Sequence, residues 1–339
     1  MTVRSSVRLY IMCLSGVLLG ITVTSIAPSQ VTDRQPLQVF DLFATIKRDL
    51  GVSGTKIQGL TQSGEGWAVI ANASTANSVI IMGDLISAHA VRVSGYIDAL
   101  QMDPSGTVYL RKRTPLPTGK VRPRLDTAIS ILDGTGAPRE ESILRLPNAS
   151  PVLSGGRVMW RTRNGTFDTD TLVVNTPTAA ALPDPNVGVA NQAVYYFGLP
   201  NSQHLSFGDM TESVTLFDPD SSGSTVIPVH LDDAYKRFGV ILKRKLPDRS
   251  TGESRTLWAA VGQDARLYIC LTGTPFPGAA YIAAFDPFSG NVVETLRAHL
   301  PVTPGDRPSS PNHATFPHFG AVGNHLVIAD ANLGMLSIY

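Results

Sequence analysis

The sequence predicts an all-β fold, a six-bladed β-propeller with its last blade closed by an N-terminal strand, and three observations predict it. Over residues 56–339 one unit recurs six times: an apolar stretch, a Gly- or Asn-marked turn, an aromatic-rich β run, a variable loop and a second β run. Gly and Pro, 30 and 24 residues, are spread along the chain rather than clustered, as many short turns require. The sixth unit ends one strand short at Tyr339, while Pro36–Leu42, an alternating strand-like segment, has no unit of its own. A β unit of this kind buries its faces only against its neighbours, so the stable arrangement is a closed radial array.

The chain opens on a targeting segment. Arg4 and Arg8 precede an uncharged, mostly apolar run from Leu9 to Ala27, the order of a signal peptide. At about 1.5 Å per residue this run spans roughly 28 Å as a helix, close to a bilayer core, so a membrane anchor at residues 9–27 is the alternative. Ser25-Ile26-Ala27 offers small residues for cleavage, although Pro28 directly after it is a poor context. Both readings of 1–27 place the remainder outside the cytoplasm, periplasmic or secreted, with 28–35 as a linker and 36–339 as the ring. Only Cys270 remains beyond the leader, so no intrachain disulfide is expected. It lies in the apolar run Leu267–Leu271 and reads as a small buried hydrophobe rather than a catalytic thiol.

Within each unit the strands are expected in the order a, b, c, d from the axis outward. The b strands are Trp67–Ala71, Val108–Arg111, Val158–Arg161, Val194–Phe197, Leu267–Leu271 and Leu326–Ala329, each following a tight-turn signal such as Asp103-Pro104-Ser105-Gly106. The small, apolar a strands precede them at Lys56–Gln62, Tyr96–Met102, Ser150–Leu153, Val187–Ala190, Leu257–Val261 and Phe319–Val322. The c strands are Ser78–Met82, Ala128–Leu132, Thr171–Val174, Val214–Phe217, Ala280–Phe285 and Met335–Tyr339. Outer d strands follow at Ala90–Val93, Ser142–Leu146, Thr225–Val229 and Val292–Leu296, with the third unit the weakest. Pairing Pro36–Leu42 onto the sixth unit removes its exposed edge; a helix at Asp41–Leu50 ended by Gly51 competes for part of that segment.

The pattern, with stretches such as Tyr96-Ile97-Asp98-Ala99-Leu100-Gln101-Met102-Asp103-Pro104-Ser105-Gly106-Thr107-Val108-Tyr109-Leu110, resembles the six-bladed propellers of the NHL and TolB-like type from exported bacterial proteins. The resemblance covers nearly all of the chain beyond the leader, and only as architecture. Such propellers include binding modules, scaffolds, hydrolases and lyases, so function has to be argued from a site.

The formal net charge of +1 creates no global field toward nucleic acid, and no nucleic-acid partner is expected. No G-x-S-x-G, H-E-x-x-H, P-loop, G-x-G-x-x-G or C-x-x-C motif occurs. Asp218, Asp220 and Ser222 imitate the start of a calcium loop, but Val229 stands where its last acid is needed. No cofactor or metal is therefore expected. Length concentrates in the b–c and d–a connections, which share one face, and that face carries Arg111, Arg113, Arg161 and Arg163 at the ends of b strands. His204, Asp209, His313 and His318 fall in its long loops. Guanidinium forks suit carboxylates and phosphates, so the expected function is a binding module taking a protein, a peptide or an anionic small molecule on the long-loop face. The alternative is a hydrolase or lyase with a polar site at the channel mouth.

Overall fold

The computed structural model describes residues 9–10, 20–21, 31–74, 76–113, 127–144, 150–154, 157–162, 165–168, 194–199, 203–208, 212–217, 224–239, 258–271, 279–301, 318–330 and 333–339. From the apolar N-terminal stretch, β1 (Leu9–Tyr10) and β2 (Gly20–Ile21) pair with each other. Among the described residues no helix is long and apolar enough to cross a membrane. Strands β3 (Thr32–Arg34) and β4 (Gln38–Asp41) follow and then helix α1 (Leu42–Leu50). The expected competition between strand and helix resolves at Asp41, which ends β4. Its carboxylate then caps α1, accepting from the Ala44 N–H at 2.8 Å.

The first sheet is β5 (Ile57–Ser63), β6 (Gly66–Ala71), β7 (Asn77–Gly83) and β8 (Ala88–Ser94). The second is β9 (Tyr96–Met102), β10 (Val108–Arg113), β11 (Thr127–Leu132) and β12 (Pro138–Leu144). The third holds β13 (Ser150–Ser154), β14 (Arg157–Thr162) and β15 (Gly165–Asp168). The fourth is β16 (Val194–Gly198), β17 (His204–Gly208), β18 (Ser213–Phe217) and β19 (Ser224–Pro228), followed by helix α2 (Leu231–Phe238). The fifth is β20 (Trp258–Val261), β21 (Leu267–Cys270), β22 (Ala279–Phe285) and β23 (Val292–His299), and the sixth β24 (His318–Val322), β25 (His325–Asp330) and β26 (Met335–Ile338).

Within each sheet consecutive strands pair antiparallel. The innermost strands touch in a closed circuit, β5 to β9, then β13, β16, β20, β24 and back to β5. This is a β-propeller, and β4 pairs with β26 to supply the outer strand of the sixth sheet. The expectation of six four-stranded blades needs correction. Among the described residues five sheets have four or more strands, making five full blades, and the third sheet has three. Its third strand is Gly165–Asp168, reached from β14 through a tight hairpin, while the expected Thr171–Val174 lies outside the described residues.

A second correction concerns the fourth sheet. Val194–Phe197, expected as a b strand, is the inner strand, and the b strand is His204–Gly208, inside what reads in the sequence as a long loop. The turn between them is closed by the Leu199 N–H on the Gln203 carbonyl at 2.8 Å. The expected inner strand Val187–Ala190 lies outside the described residues.

The core is divided into slabs between sheets, and strand periodicity explains why. Successive side chains of a strand face opposite sides, so Trp67, Val69 and Ala71 pack toward the sixth sheet, and Ala68 and Ile70 toward the second. The same division sends Leu267, Ile269 and Leu271 to the fourth-sheet side and Cys270 to the sixth. Both faces being buried, these strands must read as unbroken apolar runs, each fully buried side chain contributing roughly 1.5–3 kcal/mol. Cys270 is accordingly a core residue. Trp67, fully buried, donates its indole N–H to the Asp84 carbonyl at 2.8 Å and stacks at a tilt on Phe40 of β4.

The helices occupy equivalent positions. Each follows an outer strand, and each lies on the outer strand of the next sheet: α1 on β7 and β8, α2 on β23. Their buried residues Leu42, Thr45 and Ile46, and Leu231, Ala234, Tyr235 and Phe238, fall three to four apart, on one helical face.

Candidate functional site

Strand polarity decides which predicted residues can meet. Inner strands begin, and b strands end, on the face that the sheet-to-sheet connections enter; the a–b turns lie on the other. Arg113, the last residue of β10, pairs with Tyr96 at the start of β9. Arg161 pairs with Ser150 at the start of β13, and His318 opens β24. These three therefore share the expected face. His204 does not: it opens β17 and pairs with Gly198, the last residue of an inner strand, which puts it on the a–b turn face. Arg163, Asp209 and His313 lie outside the described residues.

Arg111 is engaged. Its guanidinium donates twice to one carboxylate, Nε to Oδ1 of Asp98 at 2.7 Å and Nη2 to Oδ2 at 3.0 Å. Both side chains are only 14% exposed. A closed fork at this depth spends the arginine on holding β10 to β9, so the expected basic surface loses Arg111 as a ligand contact.

Length on the expected face is uneven. The b–c connections of the first, third, fourth and sixth sheets are short, with β14 and β15 separated by two residues. The long b–c connections belong to the second and fifth sheets, and the sheet-to-sheet connections 169–193, 229–257 (which carries α2) and 300–317 are long as well.

The opposite face holds a cleft that the sequence reading did not anticipate. Three a–b turns converge there: the Gly64 carbonyl accepts from the Gly323 N–H at 2.8 Å and from Gln263 Nε2 at 3.4 Å. Gly64 and Gly323 both have positive φ, 58° and 56°, which a glycine adopts without the Cβ clash of other residues. Beside this meeting point a cavity of about 170 Å³ opens between the fifth and sixth sheets. Its apolar floor includes Leu296, Ala321 and Leu326, and its rim is charged. Arg34 of β3 donates to Glu294 of β23 at 3.3 Å. Arg266, from the turn before β21, lies 3.7 Å from Glu294 and 3.4 Å from Asp264. Tyr268 donates its hydroxyl to Asp264 at 2.8 Å. Burial, and then that bond to a carboxylate, hold the Tyr268 hydroxyl well above the ordinary tyrosine range. His325, on the cavity wall, places Nδ1 3.3 Å from the Tyr339 carbonyl.

Among the described residues no group of three or more His, Cys, Asp or Glu side chains is placed to hold a metal ion. The a–b and c–d turns instead use single aspartates as backbone clamps. Asp103 and Asp133 each accept from the N–H groups two and four residues on and from the hydroxyl two residues on. At Asp84 burial alone would raise the carboxyl; the Ser87 and Ile86 N–H groups outweigh it and hold it below the ordinary value.

No protein-family model matches the chain, and no curated protein matches it by sequence. Solved structures do resemble it in shape. Virginiamycin B lyase from Staphylococcus aureus with quinupristin is 12% identical over 89% of this chain and 97% of its own, with a TM-score of 0.46. YCF48 bound to D1 peptide is 12% identical over 92% and 99%, with a TM-score of 0.45. The β-propeller domain of the Trilobed protease from Pyrococcus furiosus is 10% identical over 85% and 83%, with a TM-score of 0.37.

Proposed function

We propose that this chain is an exported propeller of the NHL or TolB-like type acting as a binding module, exported by residues 1–27. It takes a protein, a peptide or an anionic small molecule on the face where its b strands end. One observation carries the reading: Arg113 and Arg161 stand at corresponding ends of b strands in adjacent sheets, on the face that His318 also borders. Two guanidinium groups on neighbouring radial sheets fit an extended anionic ligand better than a single deep pocket. The alternative is a hydrolase or lyase with a polar site at the channel mouth; a site that used His204 and His318 together is disfavoured, because strand polarity puts them on opposite faces.

The test is a titration of the mature protein with a fluorescent oligoglutamate peptide. With exposed ion contacts worth about 0.2–1 kcal/mol each, Arg113→Ala combined with Arg161→Ala lowers affinity by about two- to thirtyfold. Added salt shrinks the difference. Equal binding by the native and doubly substituted proteins overturns the reading.

A further inference from the structure

The cleft between the fifth and sixth sheets lies on the face opposite the one argued above, and it has the composition of a separate site. We propose that it binds a small zwitterion of the α-amino-acid class, seating an apolar side chain on the floor and its charged head on the rim.

Size sets the first bound. A buried cavity of about 150 Å³ takes a benzene-sized ligand, so about 170 Å³ with an open charged edge suits one amino acid rather than a long peptide. The floor sets the second. Leu296, Ala321 and Leu326 line the cavity but are only 1%, 8% and 4% exposed, so the floor offers a small apolar contact beneath a mostly polar wall. An apolar side chain gains a modest burial there, and the head group carries most of the recognition.

The rim selects the head group. Its charges alternate along one chain of contacts, Arg34 to Glu294 to Arg266 to Asp264, and they cancel. A ligand of net charge leaves one rim charge uncompensated in a partly desolvated cleft. A zwitterion adds one carboxylate for the guanidinium groups and one ammonium for the carboxylates, and the balance is kept.

The rim is also open to exchange. Arg266 reaches its two carboxylates only at 3.4 and 3.7 Å, and Arg34 makes one hydrogen bond of 3.3 Å. The four rim side chains are 29–39% exposed. Arg111 and Asp98 make a tighter pair in this protein, two-pronged, short and 14% exposed. The rim arginines retain donor capacity that Arg111 has spent. Because Arg34 belongs to the three-residue strand β3, a ligand spanning Arg34 and Arg266 also ties that strand to the fifth sheet.

The experiment is calorimetric titration of the full chain with L-leucine, L-methionine and L-phenylalanine, beside N-acetyl-L-leucine and L-leucinamide. At least one of the three amino acids binds with a Kd below about 1 mM. Blocking either end of leucine, or introducing Arg266→Ala or Glu294→Gln, weakens binding by about tenfold or more, as the loss of a charge-assisted contact does. Bound ligand slows hydrogen exchange of the Thr32–Arg34 amides. Arg113→Ala leaves all of this unchanged, which separates this site from the one on the other face. Absence of binding by all three amino acids, or equal binding of the blocked and free forms, overturns the proposal. The ligand comparison is made on the native protein, so it decides even if a substituted chain fails to fold.

Discussion

Strand β4 completes the sixth sheet by antiparallel pairing from Met335↔Asp41 to Ile338↔Gln38, whereas β3 joins a fifth sheet that already has four strands, through the parallel pairs Leu296↔Thr32, Arg297↔Asp33 and Ala298↔Arg34. The two strands lie a few residues apart in the chain and serve neighbouring sheets, yet they are held differently. Beneath β4 sit Leu336 and Ile338, fully buried, and Phe40 stacks on Trp67. Beneath β3 the side-chain ties are polar and partly exposed, Asp33 with His299 at 3.2 Å and Arg297 at 3.9 Å, and Arg34 with Glu294 at 3.3 Å, with Val31 just before it packed on the core. Closing the ring thus rests on apolar burial, which salt does not screen. The added strand rests on its backbone pairing and on surface charge, and the charge is the part that salt screens and a ligand can replace.

Truncation breaks the comparison most directly. A chain beginning at Leu42 lacks β4 and is expected to lose about 10 °C or more of melting temperature, on the scale of several kcal/mol for an uncovered core edge. A chain beginning at Pro36 lacks β3 but keeps β4 and loses a few degrees at most; comparable losses in both would remove the distinction. Leu336→Ala comes next, at about 2–5 kcal/mol in urea unfolding.

Tyr339 sharpens the comparison with pH, because its hydroxyl donates to the His299 carbonyl at 2.7 Å and so joins the two sheets. Burial pushes this hydroxyl from 10.0 up to about 12, so the folded state favours the protonated form. The resulting stability is full below pH 10.0 and is lost as pH rises toward about 12. Urea midpoints of the native protein therefore fall across that window, and Tyr339→Phe flattens the fall while costing the hydrogen bond at neutral pH. Asp41→Ala removes the cap of α1 for about 1 kcal/mol. Arg34→Ala is the smallest effect, about 0–1 kcal/mol and reduced by salt. A larger, salt-independent loss would mean that β3 is packed rather than latched.

Much of this architecture is written in local sequence. Trp67–Ala71, Leu267–Leu271 and Leu326–Ala329 are apolar at consecutive positions because both their faces are covered, and the structure places b strands there. Asp103-Pro104-Ser105-Gly106 carries its own turn chemistry, so it is legible without partners. The fourth sheet was misread for the converse reason. Leu205 and Phe207 are buried, but His204–Gly208 is short and bracketed by Gly198 and Gly208, with a polar residue between its two apolar ones. Only its pairing to β16 and β18 marks it as a strand.

What the sequence by itself determined is the repeat, the apolar b strands and the N-terminal closing strand, because hydrophobic periodicity and turn residues act within a few positions. The tertiary structure alone decided which charges meet. Arg34 and Glu294 are 260 residues apart in the chain, and Asp98 reaches Arg111 only because β9 and β10 pair, with a register shift that leaves Asp98 beside Arg111. No local pattern records such a contact, since an ion pair needs proximity in space and constrains nothing between its partners. That is also why Arg111 reads as a free cation in sequence and proves committed in structure, while Arg34, in a segment expected to be linker, borders a cavity.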